Sequence, residues 1–304
     1  MPNLSLAQLC NLALLTMLWG LNWPIVKAGV ESYPPLTFRA LSMWLGLPVL
    51  ALGMVLLKAP MRMPLRHWRE VIVLATTNMV VWHVCIVLAL TSLSSGRAAV
   101  LGYTMPVFSA LIGAWLFSAS VGGRGWLGVA AAAMGVGLLL WNELSSLAGR
   151  PLGVALVLVA AATWALGTQL MRRARLDVPT LTLTFWMMAF TSVVMTVPAI
   201  VFERQEWILP PATTTWSILF NGVAVFGYSY AVWITLARNL PPVASTLSVM
   251  MIPVVGVFSG SWWLGEVLLW QDFTAMGLMV VAIGVVLWPS GTAAAPDGRT
   301  PEGA

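Results

Sequence analysis

The sequence predicts an all-α integral membrane protein with ten transmembrane helices, arranged as two inverted five-helix repeats. Three observations predict this fold class. Of the 304 residues, 60% are hydrophobic and only 8% are charged, whereas an ordinary soluble domain has about 25% charged residues. Ten apolar runs approach the roughly 20 residues that cross a hydrocarbon core as a helix. The second half of the chain repeats features of the first half at a nearly constant offset.

The composition excludes several other classes of protein. Too few charged residues remain to cover the surface of a soluble enzyme, and a disordered chain would need low hydrophobicity. The net charge of +5 is not gathered into the basic stripe of a nucleic-acid-binding protein. Cys10 and Cys85 lie in separate apolar runs and match neither a disulfide framework nor a metal site. We therefore expect no nucleic acid, no metal and no cofactor.

The predicted spans follow from cutting the apolar runs at Pro, Gly and charge clusters. Unbroken runs of this length favour helices over a barrel, whose strands would alternate apolar and polar residues. The spans cover approximately 6–27, 36–57, 70–90, 97–117, 125–142, 152–171, 181–202, 215–236, 243–264 and 272–289. The first repeat is predicted at 1–145 and the second at 146–290. A disordered cytoplasmic tail is predicted at 291–304.

Basic residues are unequally shared between the two sets of alternate loops. The set that includes both termini has ten: Lys58, Arg62, Arg66, Arg69, Arg124, Arg172, Arg173, Arg175, Arg238 and Arg299. The other set has four: Lys27, Arg97, Arg150 and Arg204. Arg39, at the head of the second span, is the fifteenth basic residue. Since cytoplasmic loops are enriched in Lys and Arg, we predict a multi-pass protein of the bacterial inner membrane with both termini in the cytoplasm.

The internal repeat is visible as matching residues in the two halves. Tyr103–Pro106 aligns with Met250–Pro253 at an offset of 147, and the same offset superposes Trp115 on Trp262. Each half has five predicted spans, an odd number, so the second half must insert with the opposite topology. Inverted repeats are common in secondary transporters, whose solute sites lie at the repeat interface.

These residues resemble a known family. The segment WGLNWPIVKAG at 19–29, the Pro-centred fourth and ninth spans, and Leu264-Gly265-Glu266 before a Gly-rich last span are similar to the EamA repeat. That repeat defines ten-helix carriers of the drug/metabolite transporter superfamily, and the likeness covers about residues 5–290. In the first half, Ser118-Ala119 replaces the Gly-Glu pair. Within the superfamily, the chain most resembles aromatic amino-acid exporters, which implies export of Phe, Trp and Tyr by alternating access.

The chain offers no obvious energy source or catalytic motif. It has no P-loop, HExxH or GxSxG, so we predict a transporter and not an enzyme. No carboxylate lies in the middle of a predicted span, where proton coupling would normally place one. Glu266, at the outer end of the ninth span, is interpreted as structural. These observations favour facilitated diffusion; proton coupling is the alternative.

Aromatic and amide side chains are candidates for solute binding, because rings stack on an apolar group while amides bind polar groups. In the first span, Trp19, Asn22 and Trp23 share one helical face with Lys27. The candidates are Trp19, Asn22, Trp23, Asn78, Trp82, His83, Tyr103, Trp164, Thr168, Gln169, Trp186, Tyr228 and Ser248. The alternative interpretation is that the tryptophans form a belt at the membrane interface and the polar residues bond helix to helix.

Three prolines are candidate hinges, because proline removes a helical hydrogen bond: Pro24, Pro106 and Pro253. Gly256 and Gly260 form a GxxxG motif. We interpret this motif as a site where helices of one monomer pack closely, in preference to a dimer contact.

The expected partners are an amphipathic small-molecule substrate, namely an aromatic amino acid, and the lipid bilayer. The alternative function is export of other amino acids, metabolites or cationic drugs such as viologens. A channel would differ by conducting without saturation.

Overall fold

A computed structural model describes residues 6–118, 122–145, 151–230, 232 and 242–287. All regular elements within these ranges are helical. They are α1 (Leu6–Glu31), α2 (Pro35–Leu56), α3 (Leu65–Leu90), α4 (Ser95–Phe117), α5 (Gly123–Ser145), α6 (Pro151–Arg173), α7 (Thr180–Glu203), α8 (Ala212–Leu219, continued by Phe220–Ser229), α9 (Pro242–Leu264) and α10 (Trp270–Leu287). The tail predicted at 291–304 lies outside the described residues.

Five of these segments are long and apolar enough to cross a membrane alone. They are Pro35–Leu56, Leu65–Leu90, Ser95–Phe117, Pro151–Arg173 and Thr180–Glu206. Three further apolar helices are shorter: Gly125–Leu139, Met251–Leu264 and Trp270–Val285. The all-helical, membrane-spanning character of the chain is therefore confirmed. The ten spans and their inverted arrangement go beyond these five segments and stay a prediction.

Helix packing repeats along the chain. α1 packs against α9, and α6 packs against α4. α3 packs against α6, and α8 packs against α1; α2 packs against α8, and α7 packs against α3. α5 packs against α10. Helices five places apart in the chain correspond to each other, and each contact recurs between the corresponding helices: α1–α9 as α6–α4, α3–α6 as α8–α1, and α2–α8 as α7–α3. The α5–α10 contact corresponds to itself. This pattern is expected if two five-helix units of similar structure pack face to face.

The ends of α4 and α9 share an unusual backbone conformation at equivalent positions. Gly265 follows α9 with φ of 66°, and Ser118 follows α4 with φ of 51°. These residues are 147 apart, which is the offset found in the sequence. Glycine takes this left-handed conformation without the steric penalty that a side chain brings. The helix end is therefore built in the same way in both halves, although only the second half keeps glycine.

Two carboxylates hold the first turns of α2 and α4. The Glu203 carboxylate accepts hydrogen bonds from Leu36 N at 2.9 Å and from Thr37 N and Oγ1, both at 2.7 Å. The Glu266 carboxylate accepts from Ser95 N and Oγ and from Gly96 N. Helix N-termini have unpaired N–H groups and a partial positive charge that a carboxylate satisfies. Glu266 thus has the structural role expected from the sequence.

Further contacts join the same end of the bundle, which we call the capped end after Glu203 and Glu266. Arg97 of α4 pairs with Asp272 of α10 at 2.8 Å. Lys27 of α1 donates to the carbonyl oxygen of Leu90, at the end of α3, at 2.8 Å. The bonds of Glu203, Glu266 and Arg97 cross between the two halves of the chain, whereas the bond of Lys27 joins two helices of the first half. Together they connect the helices at the capped end.

Tyr33, in the connection between α1 and α2, adds a contact at the capped end. Its phenol donates to the carbonyl oxygen of Ile208 at 3.3 Å. Burial, and after it the negative charge of Glu203, raise the pKa of the Tyr33 phenol above its ordinary value. The phenol therefore remains a neutral hydrogen-bond donor at neutral pH.

We predict that Glu203→Gln lowers the thermal stability of the chain in detergent. The amide keeps only one acceptor oxygen and places a donor N–H₂ beside the donors of α2. Hydrogen bonds to charged groups contribute about 1.5–3 kcal/mol, so we expect a loss of this order in the free energy of unfolding. Glu206→Gln, at an exposed position, is the matched control. Equal melting temperatures for the two variants would contradict the capping role.

Candidate solute cavity

A cavity of about 120 Å³ lies between α1, α2, α3, α4, α6 and α8. An engineered cavity of about 150 Å³ in another protein holds benzene, so this space has the scale of one aromatic ring. Its lining residues are Trp19, Asn22, Trp23, Val26, Arg39, Trp82, His83, Ile86, Leu90, Tyr103, Met105, Trp164, Val225, Phe226 and Tyr230. Both halves of the chain contribute to this lining.

Three tryptophans from three helices form one wall of the cavity. The ring centroids of Trp23 and Trp82 are 6.4 Å apart, and those of Trp82 and Trp164 are 5.1 Å apart. The rings meet edge to face, with interplanar angles of 74° and 61°. Edge-to-face contacts are favourable for aromatic pairs. The wall is thus a packed aromatic surface on which another ring can lie.

A second aromatic group lies on α8 and its neighbours. The Phe226 and Tyr230 rings stack with centroids 6.0 Å apart and planes 16° apart. The His83 and Phe226 rings meet edge to face with centroids 5.2 Å apart, and the Trp19 and Tyr230 rings do so with centroids 6.4 Å apart. Aromatic side chains therefore enclose the cavity from both halves of the chain.

Two pairs of lining residues are equivalent by the internal repeat. Trp19 and Trp164 are 145 residues apart, and His83 and Tyr230 are 147 apart. All four line the same cavity. The sequence offset and the shared lining agree, so the cavity lies where the equivalent parts of the two halves meet.

Three of the lining helices depart from regular α geometry beside the cavity. α3 has a π-helical segment at Thr76–Val80, just before Trp82, and α8 is π-helical over Phe220–Ser229. α4 is interrupted at Tyr103–Thr104, between Ser95–Gly102 and Met105–Phe117. π-helical segments and broken helices are frequent at functional sites. These irregularities change the direction of the side chains that follow them.

Polar atoms at the cavity lack partners among the described residues. They are Asn22 Oδ1, Arg39 Nε, and both ring nitrogens of His83. His83 is 4% exposed and Arg39 is 2% exposed. Buried polar groups in proteins are nearly always hydrogen-bonded, and leaving one unpaired costs about 1–3 kcal/mol. A polar solute in the cavity would supply these missing partners.

The structure brings seven of the predicted site residues to the cavity: Trp19, Asn22, Trp23, Trp82, His83, Tyr103 and Trp164. The face of the first span predicted from Trp19, Asn22 and Trp23 does point into this space. Lys27, one turn further on, instead joins Leu90 and Glu31 at the capped end.

Other predicted residues have structural partners away from the cavity. Gln169 donates to Ser109 O and Oγ, both at 2.9 Å, and accepts from Arg173. Trp186 donates to Met61 O at 2.8 Å. These bonds join α6 to α4 and α7 to the segment before α3. Gln169 therefore connects two helices, which is the alternative stated for the polar residues, and Trp186 connects α7 to the segment between α2 and α3.

Three further candidates lie outside the cavity lining. The Asn78 amide donates to Leu74 O at 2.9 Å and packs where α6 has Gly167. The Thr168 hydroxyl donates to Trp164 O within its own helix. The Tyr228 hydroxyl donates to Asn11 Oδ1 at 3.4 Å, between α8 and α1. The side chain of Ser248 lies outside the described residues.

The candidate hinge prolines occupy different settings. Pro24 and Pro253 lie inside the continuous helices α1 and α9. Pro106 lies in the first turn of the second part of α4, directly after the interruption. The equivalent prolines 106 and 253 therefore accompany a broken helix in one half and a continuous helix in the other.

Sequence reasoning missed Arg39, Phe226 and Tyr230 as site residues. Arg39 counted only as a basic residue at the head of a span, yet a charge inside a predicted span is by itself a sign of function. Phe226 has no distinguishing signal among ten phenylalanines. Tyr230 could have been found as the repeat equivalent of His83.

Comparison with known proteins identifies the family. The model of a family described as "EamA-like transporter family" matches residues 7–141 and, a second time, residues 151–288. The chain belongs to the EamA-like transporter family. The two matches cover both halves of the chain separately, in agreement with the internal repeat.

Relatives of known sequence are described as transporters. The chain is 28% identical to "Uncharacterized inner membrane transporter YedA" of Escherichia coli K12, over 93% of this chain and 92% of that protein. It is 23% identical to "Uncharacterized transporter YoaV" of Bacillus subtilis 168, over 81% and 84%. It is 22% identical to "Probable amino-acid metabolite efflux pump" of Escherichia coli K12, over 90% and 92%.

A solved crystal structure supports the same fold. It superposes with a TM-score of 0.64 at 19% sequence identity, over 92% of this chain and 96% of that chain. EamA-like membership, the membrane location and a transport role follow from these findings. Neither the family description nor these names specify an aromatic solute.

We predict that Gly102→Ala destabilises the aromatic wall. A Cβ at residue 102 would lie 2.9 Å from Trp23 Cη2 and 3.3 Å from Trp82 Cη2, so one ring must move. Overpacking of this kind costs about 1–3 kcal/mol. We expect a lower melting temperature in detergent, followed by tryptophan fluorescence.

Gly53→Ala is the matched control for this substitution. Gly53 also lies in a helix, and its added Cβ would meet nothing within 4 Å. Since alanine favours helices over glycine by about 0.5–1 kcal/mol, Gly53→Ala should leave stability unchanged or raise it. A Gly102→Ala variant as stable as Gly53→Ala would show that the two rings do not pack closely on α4.

Proposed function

We propose that this EamA-like transporter exports the aromatic amino acids Phe, Trp and Tyr across the inner membrane by alternating access. In this proposal ten helices form two inverted repeats, residues 1–145 and 146–290, and both termini face the cytoplasm. The solute binds in the cavity between the repeats. The protein acts as a monomer, and the solute gradient drives transport without a coupled ion.

The observation that carries this proposal is the aromatic cavity lined from both halves. Transporters with inverted repeats bind their solutes at the repeat interface near the middle of the membrane. The lining by equivalent residues, such as Trp19 and Trp164, supports the same placement here. A space of about 120 Å³ enclosed by rings suits an aromatic side chain.

The polar atoms at the cavity suit the backbone of an amino acid. Asn22 Oδ1 is an acceptor without a partner in the described part of the chain and can receive a hydrogen bond from an ammonium group. The two ring nitrogens of His83 also have no partner there, and a neutral imidazole offers one donor and one acceptor. The amino-acid group and the ring of one solute can thus be bound together.

The asymmetry between α4 and α9 supports alternating access. α4 is broken before Pro106, whereas α9 is continuous through Pro253. In a transporter built as an inverted repeat, two equivalent helices can exchange their conformations. The cavity then closes on one side of the membrane and opens on the other. The hydrogen bonds at the capped end, including those of Glu266 to α4, would then break when that end opens.

Facilitated transport is favoured by the composition of the lining. The described residues that line the cavity include Arg39 and His83 but no Asp or Glu, and intramembrane carboxylates are the common proton carriers of transporters. A cationic drug, which is the alternative solute, would meet the positive charge of Arg39 at short range. Export of other amino-acid metabolites stays open as a second candidate, supported by the name of the E. coli efflux pump relative.

Uptake into proteoliposomes tests the function directly. We expect saturable uptake of labelled phenylalanine and tryptophan without an ion gradient, and no competition by threonine. Uptake that appears only with a pH gradient would contradict the facilitated mechanism and direct attention to His83. Linear uptake without saturation would indicate a channel, and uptake of threonine alone would overturn the aromatic solute.

Alanine substitutions in the cavity test the site. Trp164→Ala removes a wall ring and Asn22→Ala removes the unpaired acceptor, so we expect each to raise KM for phenylalanine about tenfold, equivalent to about 1.4 kcal/mol. Trp216→Ala is the control, because Trp216 is 71% exposed on α8. Membrane yield should be equal for all three. Wild-type KM in both cavity variants would remove this site from the proposal.

A further inference from the structure

Arg39 brings a buried positive charge to the cavity, and no carboxylate of the described residues pairs with it. It lies in the second turn of α2 and is 2% exposed. Ion pairs among the described residues lie elsewhere: Lys27–Glu31, Arg66–Asp177 and Arg97–Asp272. A buried charge is unfavourable unless it is paired or fully hydrogen-bonded. The cavity therefore contains a charge that a bound group could neutralise.

The neighbours of Arg39 are neutral. Its Nη1 donates to Asn221 Oδ1 at 3.2 Å, and its Nε has no partner among the described residues. The guanidinium carbon lies 5.5 Å from the centre of the Phe226 ring and 5.9 Å from that of Phe38. A guanidinium has five N–H donors. One long hydrogen bond to Asn221 and the contacts with two aromatic rings leave some of these donors unused.

The unused donors are of the kind that a carboxylate accepts. A carboxylate offers two oxygens that match the fork of a guanidinium, and such charge-assisted bonds are short and strong. Phe226, which contacts the guanidinium, also lines the cavity together with Arg39. The positive group and the aromatic walls are thus parts of one site.

We propose that Arg39 selects the solute by its carboxylate, which the guanidinium binds while the aromatic ring lies against Trp23, Trp82 and Trp164. This inference rests on the proposed function and specifies its substrate class as aromatic carboxylates. The carboxylate is the required group and the ammonium is secondary. Aromatic acids without an amino group are then solutes, whereas aromatic amides and amines are excluded.

A set of three ligands tests this selection on the purified full chain. Phenylalanine has both charged groups, 3-phenylpropanoate lacks the ammonium, and phenylalaninamide lacks the carboxylate. By calorimetry we expect 3-phenylpropanoate to bind within about tenfold of phenylalanine. Phenylalaninamide should bind at least about thirtyfold more weakly than phenylalanine. Equal affinities for phenylalanine and phenylalaninamide would overturn the role of Arg39.

Substitutions separate selection from a structural role. Arg39→Gln should reduce the ratio of affinities for phenylalanine and phenylalaninamide to about one, since the amide no longer differs from the acid at a neutral site. Arg39→Lys keeps the charge and should retain part of the ratio. Arg66→Gln, with a side chain 67% exposed, should keep the wild-type ratio. A structural role would weaken all ligands in Arg39→Gln and leave the ratio unchanged, which would overturn the proposal.

The same data distinguish the two proposals from each other. The ligand series on the wild-type chain tests the inference even if Arg39→Gln fails to fold. Binding of aliphatic carboxylates in place of aromatic ones, lost in Arg39→Gln, would overturn the aromatic solute and support Arg39 as the carboxylate site. Phenylalanine transport that phenylalaninamide inhibits equally well would support the function and overturn the inference.

Discussion

The absence of water in a hydrocarbon core is the constraint on which this structure depends. Backbone groups there must bond within the protein, so the chain folds into helices. Helix ends and buried polar side chains must also find internal partners. The carboxylates of Glu203 and Glu266 meet this demand for α2 and α4. Against this background, the unpaired polar atoms of Arg39, Asn22 and His83 stand out, because all three residues meet at one cavity.

The internal repeat explains why a cavity forms at this place. The two halves match the family separately, and equivalent positions from both line the cavity, as for Trp19 with Trp164 and His83 with Tyr230. The matched positions have diverged in chemistry. Ser118 and Gly265 still share a left-handed backbone, yet the Glu266 carboxylate has no counterpart in the first half. Under the proposed function, this divergence at equivalent positions lets two similar halves bind an asymmetric solute.

The sequence predicted the helical membrane fold and about half of the candidate site, for identifiable physical reasons. Helical spacing alone places Trp19, Asn22 and Trp23 on one face, so that part of the lining was accessible. Spacing does not tell which neighbouring helix a given face packs against. The hydrogen bonds of Gln169 with Ser109 of α4 could therefore not be predicted. The π-helical segments of α3 and α8 shift the following side chains relative to an ideal helix, and this shift has no residue pattern of its own. Arg39 was recognisable as an intramembrane charge but was counted only as a basic residue at the head of the second span.

The arrangement around Phe226 reconciles an aromatic cavity with the proposed preference for an acid. Ring faces attract cations, so a cavity of tryptophans alone would favour a cationic drug as readily as an amino acid. Here the faces of Phe38 and Phe226 already have the Arg39 guanidinium at 5.9 and 5.5 Å. A second cation would have to approach a like charge in a medium of low dielectric constant, where the repulsion is strong. The aromatic rings therefore pack on the arginine, and under the proposal above the arginine in turn favours a solute that is negative at one end and aromatic at the other.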